Sequence, residues 1–438
     1  MIHTFFGGVF PAVQKNSTRR KPIAQLSRPP ARVILPMTMS AGGCAAPLVQ
    51  VGDRVTVGQP IAIDAAQRLP IHASVSGRVT DIAPMPHPWG GAGEAIVLEN
   101  DGLNTPWPGR PAPLDPETLT RDQLLERVRT CGVVGMGGGA FPTWQKLEQA
   151  AGHIDTLIVN AAECEPYVTA DHRLLLERSD QILRGTRVLA RCLGAKRTAI
   201  VTEGDKLNAV EAVERRLRRK NSRVELYAIR TRYPLGAEKQ IIQTVTGREI
   251  PTGKQPVDVK CLVLNVATVY AIQEALFKGL ALTSRVITVT GGAVTRPRNL
   301  WVPIGTPLET LLEEAGGLKE PCARLLIGGP MMGFAPDELS APAVKNVNAL
   351  VALAAWEQQG SQAESVCIRC GKCVSSCPMH LAPTFIVQAM QAKDVRRLRR
   401  LHTEDCIACG CCSYICPARI PLVELVALAK EQVGKEAV

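Results

Sequence analysis

The sequence predicts a multidomain α/β protein with four parts in series. These are a β-sandwich over residues 1–110, an α/β domain over 118–280, a compact module over 284–335 and a helical, cysteine-bearing domain over 349–430. Three observations predict it. The first 110 residues are rich in Pro, Gly and Val and poor in helix signals. The stretch that follows alternates strand-type and helix-type segments. Nine of the 15 cysteines lie in the 50 residues from Cys367 to Cys416, with six scattered over the other 388. A chain of 438 residues can bury several cores, so metal is not needed to staple a small fold.

The elements follow in order. Val49–Pro60 alternates apolar and polar residues around Gly52-Asp53, and Ile71–Val79 does so again before Ser76-Gly77. Short strands between such turns indicate a small sandwich. Its two halves resemble the barrel-sandwich fold of biotinyl and lipoyl carriers. Those carriers need a Lys at the hairpin between the halves, and Gln59–Gly77 contains none. The likeness therefore implies the fold without the carrier function, and His72 reads as structural. Pro106–Pro116 carries five prolines and reads as a linker. A helix is expected over Thr120–Thr130. Strands at Thr156–Asn160, Thr198–Thr202, Val224–Ile229 and Cys261–Val266 then alternate with helices at Arg178–Leu193, Leu207–Lys220, Glu238–Thr246 and Thr268–Lys278. That alternation implies a largely parallel sheet. Residues 284–330 carry short strands around one helix, Pro307–Ala315, and Ala349–Gln359 reads as the start of the helical tail.

Charge and composition exclude several classes. The formal charge is +11, yet the basic clusters Arg215–Arg223 and Lys393–Arg400 read as solvated helix faces. Only 4% of residues are aromatic, which weakens base stacking. No helix-turn-helix, zinc-finger or aromatic RNA-binding motif occurs, so no nucleic-acid partner is expected. No uncharged apolar stretch reaches the ~18 residues of a membrane-spanning helix. Met1–Val13 lacks the charged and apolar regions of a signal peptide. An odd number of cysteines, clustered at CxxC spacing, then points to metal in a reducing compartment and away from a disulfide framework.

The cysteines form two runs. Cys367-Ile-Arg-Cys370-Gly-Lys-Cys373-Val-Ser-Ser-Cys377-Pro378 is followed by Cys406-Ile-Ala-Cys409-Gly-Cys-Cys412-Ser-Tyr-Ile-Cys416-Pro417. Both match CxxCxxCxxxCP, the bacterial ferredoxin signature. Three thiolates on one tight turn hold three irons of a cubane, and Gly371 and Gly410 let the backbone wrap it. The fourth Cys of each run reaches the other cluster. Cys367, Cys370, Cys373 and Cys416 are thus assigned to one [4Fe–4S] cluster, and Cys406, Cys409, Cys412 and Cys377 to the second. Cys411 has no required role. Structural zinc is the alternative, but zinc favours two paired CxxC knuckles over two four-Cys runs closed by Pro. A coupled pair of clusters serves as a wire for electrons.

Gly135-Met-Gly137-Gly138-Gly139-Ala-Phe141-Pro142-Thr143 precedes a helix containing Lys146. Backbone N–H groups can crowd an anion where no Cβ intrudes. The loop is neither a Walker A nor a GxGxxG, and by spacing alone a tight structural turn explains it equally well. The loop resembles GxGGAGFPTxxKW, the flavin loop of the NADH-binding subunit of respiratory complex I, with Gly139-Ala140 in place of Ala-Gly. Further likenesses follow in the same order. Asn160-Ala-Ala-Glu163-Cys164-Glu165-Pro166 resembles NxDExEP, and Tyr233-Pro-Leu-Gly236-Ala-Glu238-Lys239 resembles YxxGEE. Asn265-Val-Ala-Thr268 resembles NNVET, and Arg285–Leu318 the β-grasp (SLBB-like) segment. Cys164 between the glutamates, the YPxGxEKQ variant and the doubled cysteine runs depart from complex I. Together with the Phe6-Gly7-Gly8-Val9-Phe10-Pro11 opening, they resemble the RnfC family, a component of the Rnf ion-translocating electron transport complexes. The likeness covers nearly the whole chain.

The resemblance implies a Rossmann-like FMN/NADH domain. Gly135, Gly137 and Gly138 would approach the FMN phosphate and ribityl chain. Lys146, Asn160, Glu163, Tyr233, Gly236, Glu238 and Asn265 would complete the flavin pocket. Phe141 and Glu165 would face the nicotinamide nucleotide, with Cys164 beside the flavin. Taken singly, Glu163 and Glu165 also read as a helix N-terminal pair, Asn160 as a strand-end turn residue and Tyr233 as core. No general acid or base is required, because cofactors carry the electrons. The family likeness further implies NAD(H) as substrate, membrane-embedded partner subunits and ferredoxin reached through one of them. It implies a peripheral position on the cytoplasmic face of the bacterial inner membrane. Two rival readings remain: a soluble flavin and iron–sulfur reductase resembling a microcompartment cobalamin reductase, and a non-catalytic electron-relay adapter. Eight thiolates and two oxidised cubane cores together carry roughly −4. The +11 chain is then about +7, or about +5 with an FMN phosphate, so part of its basic character is counter-charge for bound anions.

Overall fold

The computed structural model describes residues 5–219, 223–357 and 363–435. After a short strand β1 (Ile23–Gln25), the sandwich comprises β2 (Arg32–Pro36), β3 (Ala46–Pro47), β4 (Arg54–Val55), β5 (Pro60–Asp64), β6 (Leu69–His72), β7 (Gly77–Pro86) and β8 (Ala92–Asn100). They form two sheets, β2-β8-β7-β4 and β3-β5-β6. Val33, Leu35, Ile61, Val79, Ile96 and Leu98 fill the space between them. Of the two alternating stretches read from the sequence, Ile71, Ala73, Val75 and Val79 join this core with Val55, whereas Val51 is 60% exposed.

The α/β domain opens with α1 (Arg121–Thr130), started by a capping box in which Thr120 and Gln123 bond each other's backbone N–H at 3.2 and 3.0 Å. Then come α2 (Thr143–Ala150), β9 (Thr156–Asn160), α3 (Ala170–Glu177), α4 (Ser179–Leu193), β10 (Arg197–Glu203), α5 (Leu207–Arg219), β11 (Glu225–Ile229), α6 (Glu238–Thr246), β12 (Cys261–Asn265) and α7 (Val266–Lys278). Lys220, the last residue of the helix expected at 207–220, lies outside the described residues, as do residues 221 and 222 of the 215–223 basic cluster. The sheet is wholly parallel in the order β11-β10-β9-β12. Leu157, Ile158, Leu262 and Val263 are buried, as strands covered on both faces must be. The order reverses between β9 and β12, the crevice where such sheets bind ligands. Helix α3 was not expected from the sequence.

The compact module comprises β13 (Ser284–Thr290), β14 (Arg298–Pro303), α8 (Leu308–Glu314), β15 (Cys322–Ile327) and β16 (Ala349–Ala354). Its sheet runs β1-β14-β13-β16-β15. Two expectations are corrected. Residues 349–354 form a strand, parallel to β13 and antiparallel to β15, and not the start of the helical tail. Residues 358 and 359 of that expected helix lie outside the described residues. All six residues of ALVALA are buried. An unbroken apolar run fits helix and strand alike, and neighbouring strands decide. The module thus extends beyond residue 335 and borrows β1 from the N-terminus.

The tail comprises α9 (Lys372–Ser375), α10 (Pro383–Gln391), α11 (Val395–Arg400), α12 (Cys411–Ile415) and α13 (Leu422–Lys435). Leu381, Ile386, Leu398, Leu422, Val426 and Val433 give it a core of its own. Its two halves repeat: Gly371 and Gly410 take φ of +73° and +76° immediately before α9 and α12. The third correction concerns the N-terminus. Residues 5–25 do not join the sandwich expected at 1–110. They run across the α/β domain and end in the β-grasp sheet.

Candidate cofactor cleft and cysteine cavities

β9 and β12 end side by side, with Asn160 and Asn265 as register partners at the switch point. Both side chains hold loops. Asn160 donates from Nδ2 to the Gly236 carbonyl at 2.8 Å and accepts at Oδ1 from Ala162 N–H at 3.0 Å. Asn265 caps α7 through Ala267 N–H at 2.9 Å and donates to Asp171 at 2.6 Å. The glycine loop closes on itself, Gly135 N–H to Phe141 O at 2.8 Å and Ala140 N–H to Gly135 O at 3.1 Å. Gly137 presses on Asn265, since a Cβ there would lie 3.2 Å from the Asn265 Cβ. Gly138 and Gly139 instead face open space, with nothing within 4 Å of an added Cβ. Ala140 adopts a φ of +47°, a conformation that favours glycine, and the turn still closes.

The loop leads into α2, where Lys146 pairs with Glu238, the first residue of α6, at 2.5 Å. Gly135, Gly137, Gly138, Lys146, Asn160, Gly236, Glu238 and Asn265 are thus linked around one edge of the sheet, and Phe141 projects outward, 42% exposed. Bare backbone facing open space beside a lysine fits a phosphorylated flavin, because a Cβ would fill the cradle that the phosphate needs.

Three expected residues are engaged elsewhere. The buried carboxylate of Glu163 sits on the N-terminus of α3, accepting from Asp171 N–H at 2.8 Å and His172 N–H at 3.2 Å. That is the helix-capping reading left open by the sequence. Glu165 accepts from Met331 and Met332 N–H at 3.1 and 2.9 Å, in the loop after β15. Burial pushes its pKa up to about 7 despite those two bonds. Tyr233 is buried and donates its hydroxyl to the Cys409 carbonyl at 2.7 Å, so it reaches into the cysteine domain. Between them, Cys164 lies against Gly236, its thiol pushed up to about 12 by burial and by Glu203.

Sequence reasoning missed two contributors. One is the Met331-Met332 loop. The other is Lys15, whose buried ammonium bonds the Glu163 carbonyl and lies 3.9 Å from Glu203, itself paired with Lys206 at 2.7 Å. A lone Lys among the first residues carries no sequence signal for burial; its partners arrive from β10 and from the loop after β9.

The eight expected ligand cysteines ring two cavities. One is lined by Cys367, Cys370, Cys373 and Cys416. The other is lined by Cys377, Cys406, Cys409 and Cys412, with Cys411 in the same wall. Each cavity draws its fourth cysteine from the other run. Among the described residues no three His, Cys, Asp or Glu side chains converge on a single-ion site. Thiols spread around a cavity are instead what a multi-atom cubane needs. Burial raises the pKa of Cys373, Cys377 and Cys406 and pushes Cys412 up to about 12, so thiolate there requires a bound cation's charge. Backbone N–H groups point at two of the sulfurs, Leu381 to Cys377 and Ala408 to Cys406, both at 3.4 Å. The Cys377 cavity abuts Tyr233, whereas Cys367 and Cys370 of the other are exposed.

Family models match in the same order along the chain. They are an RnfC barrel sandwich hybrid domain at 3–103, a Nuo51 FMN-binding domain at 128–274, an SLBB domain at 286–335 and a 4Fe-4S dicluster domain at 361–417. The chain is 39% identical to the C component of the proton-translocating ferredoxin:NAD(+) oxidoreductase complex of Clostridium ljungdahlii, over 88% of this chain and 84% of that one. It is 36% identical to the Na(+)-translocating counterpart of Acetobacterium woodii, over 98% and 97%. The C component of the ion-translocating oxidoreductase complex of Klebsiella pneumoniae is 40% identical over 87% of this chain, which spans only 51% of that relative. Among solved structures, an air-oxidized NAD+-reducing [NiFe]-hydrogenase shares the fold, with a TM-score of 0.51 and 19% identity over 72% of this chain and 63% of that one. The chain therefore carries an FMN-binding domain and a dicluster domain for two [4Fe–4S] clusters.

Proposed function

The chain belongs to the RnfC family, the C components of the ion-translocating ferredoxin:NAD(+) oxidoreductase complexes, and from that premise we propose that it is the component that meets NAD(H) and relays its electrons. FMN supplies the exchange between the two-electron hydride chemistry of a nicotinamide and the one-electron chemistry of iron–sulfur clusters. This chain's residues do the positioning. Gly138 and Gly139 offer bare backbone, Gly135 and Gly137 close and seat the loop, Lys146 offers a cation, and Asn160, Gly236, Glu238 and Asn265 hold the walls of the cleft. Phe141, exposed on the glycine loop, would face the nicotinamide, whereas Glu165 is held by the Met331 and Met332 N–H groups. The Cys367 and Cys377 sets hold the two clusters.

The single observation that carries the reading is the serial placement of the cavities. The Cys377 cavity lies against Tyr233 at the cleft, and the Cys367 cavity opens to solvent beyond it. Electrons would pass between the cleft and the outer set through the inner one, in either direction. The partners are other subunits of a membrane-embedded complex, one of which meets ferredoxin and which together couple the relay to ion transport. No helix among the described residues is long and apolar enough to cross a membrane, which supports a peripheral position, on the cytoplasmic face where NAD(H) is available.

The test uses the full chain loaded with FMN and iron–sulfur clusters. About eight irons per chain and NADH-dependent reduction of an artificial acceptor are expected. About four irons, or no NADH-dependent reduction, overturns the reading.

A further inference from the structure

The segment Phe5–Gln25 is fastened to three parts of the molecule. Phe5 is buried beside Leu235 and Ile241, and Phe6 stacks on His380 of the cysteine domain with ring centroids 4.5 Å apart. Gly8 N–H donates to Ser376 O at 2.8 Å. Val9 and Tyr233 exchange both backbone hydrogen bonds, at 2.8 and 3.0 Å. Farther on, Gln14 N–H bonds Pro166 O at 2.9 Å, Thr18 bonds Thr169 at 2.8 Å and β1 pairs with β14.

The two glycines are where the fit is closest. Gly7 and Gly8 take φ of +68° and +78°. A Cβ on Gly7 would lie 2.6 Å from the Cys377 carbonyl carbon and oxygen, and one on Gly8 would lie 2.5 Å from Tyr233 O. These are backbone atoms, which cannot swing aside. The strap is thus wedged between Cys377 and Tyr233. Tyr233 in turn holds Cys409, so two of the four cysteines of the inner cavity are gripped from the cleft side.

Other contacts also dock the cysteine domain. Gln240 donates to Pro378 O at 3.1 Å, and Thr252 bonds Asp405 at 2.5 Å. Those contacts hold the domain's flank, whereas the strap touches the ligand backbone itself.

We propose that Phe5–Phe10 is a positioning element of the relay, which sets the separation between the flavin cleft and the inner cysteine cavity. This rests on the functional reading above. The step at stake moves one electron from reduced flavin to an oxidised cluster, and no bond to the chain forms or breaks. Its rate falls exponentially with separation, so a displacement of an ångström or two slows it measurably.

The test compares wild type with Gly7→Ala and the milder Phe6→Ala, each as the full chain loaded with FMN and clusters. In stopped flow, flavin reduction by NADH stays within about two-fold of wild type in both variants. The following reduction of the clusters slows about ten-fold or more in Gly7→Ala and about three-fold in Phe6→Ala, with iron content unchanged. Amide hydrogen exchange over residues 371–381 quickens in both variants, with or without cofactors. Cluster reduction within about two-fold of wild type in both variants, with unchanged exchange, overturns the proposal. If Gly7→Ala does not fold, Phe6→Ala decides, because it trims a side chain that is already 48% exposed. Failure of wild type to take electrons from NADH would sink the functional reading instead, and hydrogen exchange would still show whether the strap holds the cysteine domain.

Discussion

The two cysteine runs are near copies in sequence and opposites in setting. Each opens with CxxCGxC, turns through a glycine near φ +75° and enters a short helix. Around the first run, Cys367 and Cys370 are exposed, and a Cβ added to Gly371 would meet nothing within 4 Å. Around the second, Cys409 and Cys411 are buried, and a Cβ on Gly410 would lie 2.8 Å from the Met331 carbonyl. Tyr233 bonds Cys409 of the second run, and the strap presses on Cys377, the one cysteine that the first run lends to the inner cavity. Local sequence is enough to build a ligand turn. What the turn is pressed against decides whether its cluster faces the flavin or the outside.

The strongest test of this contrast removes one ligand from each set. Cys409→Ser and Cys370→Ser should each lose about four irons. Only Cys370→Ser should still pass electrons from NADH to the remaining cluster, as read by visible absorbance and electron paramagnetic resonance. Equal loss of cluster reduction in both would break the inner–outer assignment.

Next in size is the pair of glycines. Gly371→Ala should cost about 1–2 kcal/mol, the strain of a left-handed non-glycine residue. Gly410→Ala should cost that and about 2 kcal/mol more, because its Cβ meets backbone. Chemical denaturation of the loaded chain measures both, and equal costs would remove the packing difference.

Tyr233→Phe leaves the Cys409 carbonyl without its buried donor and should cost about 1–3 kcal/mol. Tyr414, 47% exposed on the same run, should tolerate Phe within about 0.5 kcal/mol. Thermal unfolding distinguishes them.

The smallest effect concerns pH. Glu165 holds the Met331-Met332 loop over the inner run, and burial raises its pKa to about 7. A carboxyl raised in the folded state favours folding fully below its ordinary value near 4.5, and that contribution is lost as pH rises through 7. Glu165→Gln should flatten the stability profile over this window by about 1–2 kcal/mol, leaving the outer run untouched. An unchanged profile would show that Glu165 does not titrate there.

Much of the site was legible because its signals are local or serial. Cysteine spacing implied the two ligand sets, and the structure rings two cavities with those same sets. The apolar cores of TLIVN and CLVLN marked the strands that deliver Asn160 and Asn265 to one edge. Glu163, Glu165 and Tyr233 were legible as members of a motif, but their aim was not. Each carboxylate meets backbone N–H groups from a later segment, and the tyrosine meets a carbonyl 176 residues on.

The sequence by itself determined the order of the parts, the ligand turns and the parallel sheet, because each follows from residues close together along the chain. Only the tertiary structure decided that ALVALA is a central strand, that the first residues leave the sandwich to grip Cys377 and Tyr233, and which cysteine run faces the cleft. The reason is common to all three. Apolar runs, glycine pairs and repeated motifs are degenerate locally, and the choice among their conformations and neighbours is made by burial against segments distant along the chain.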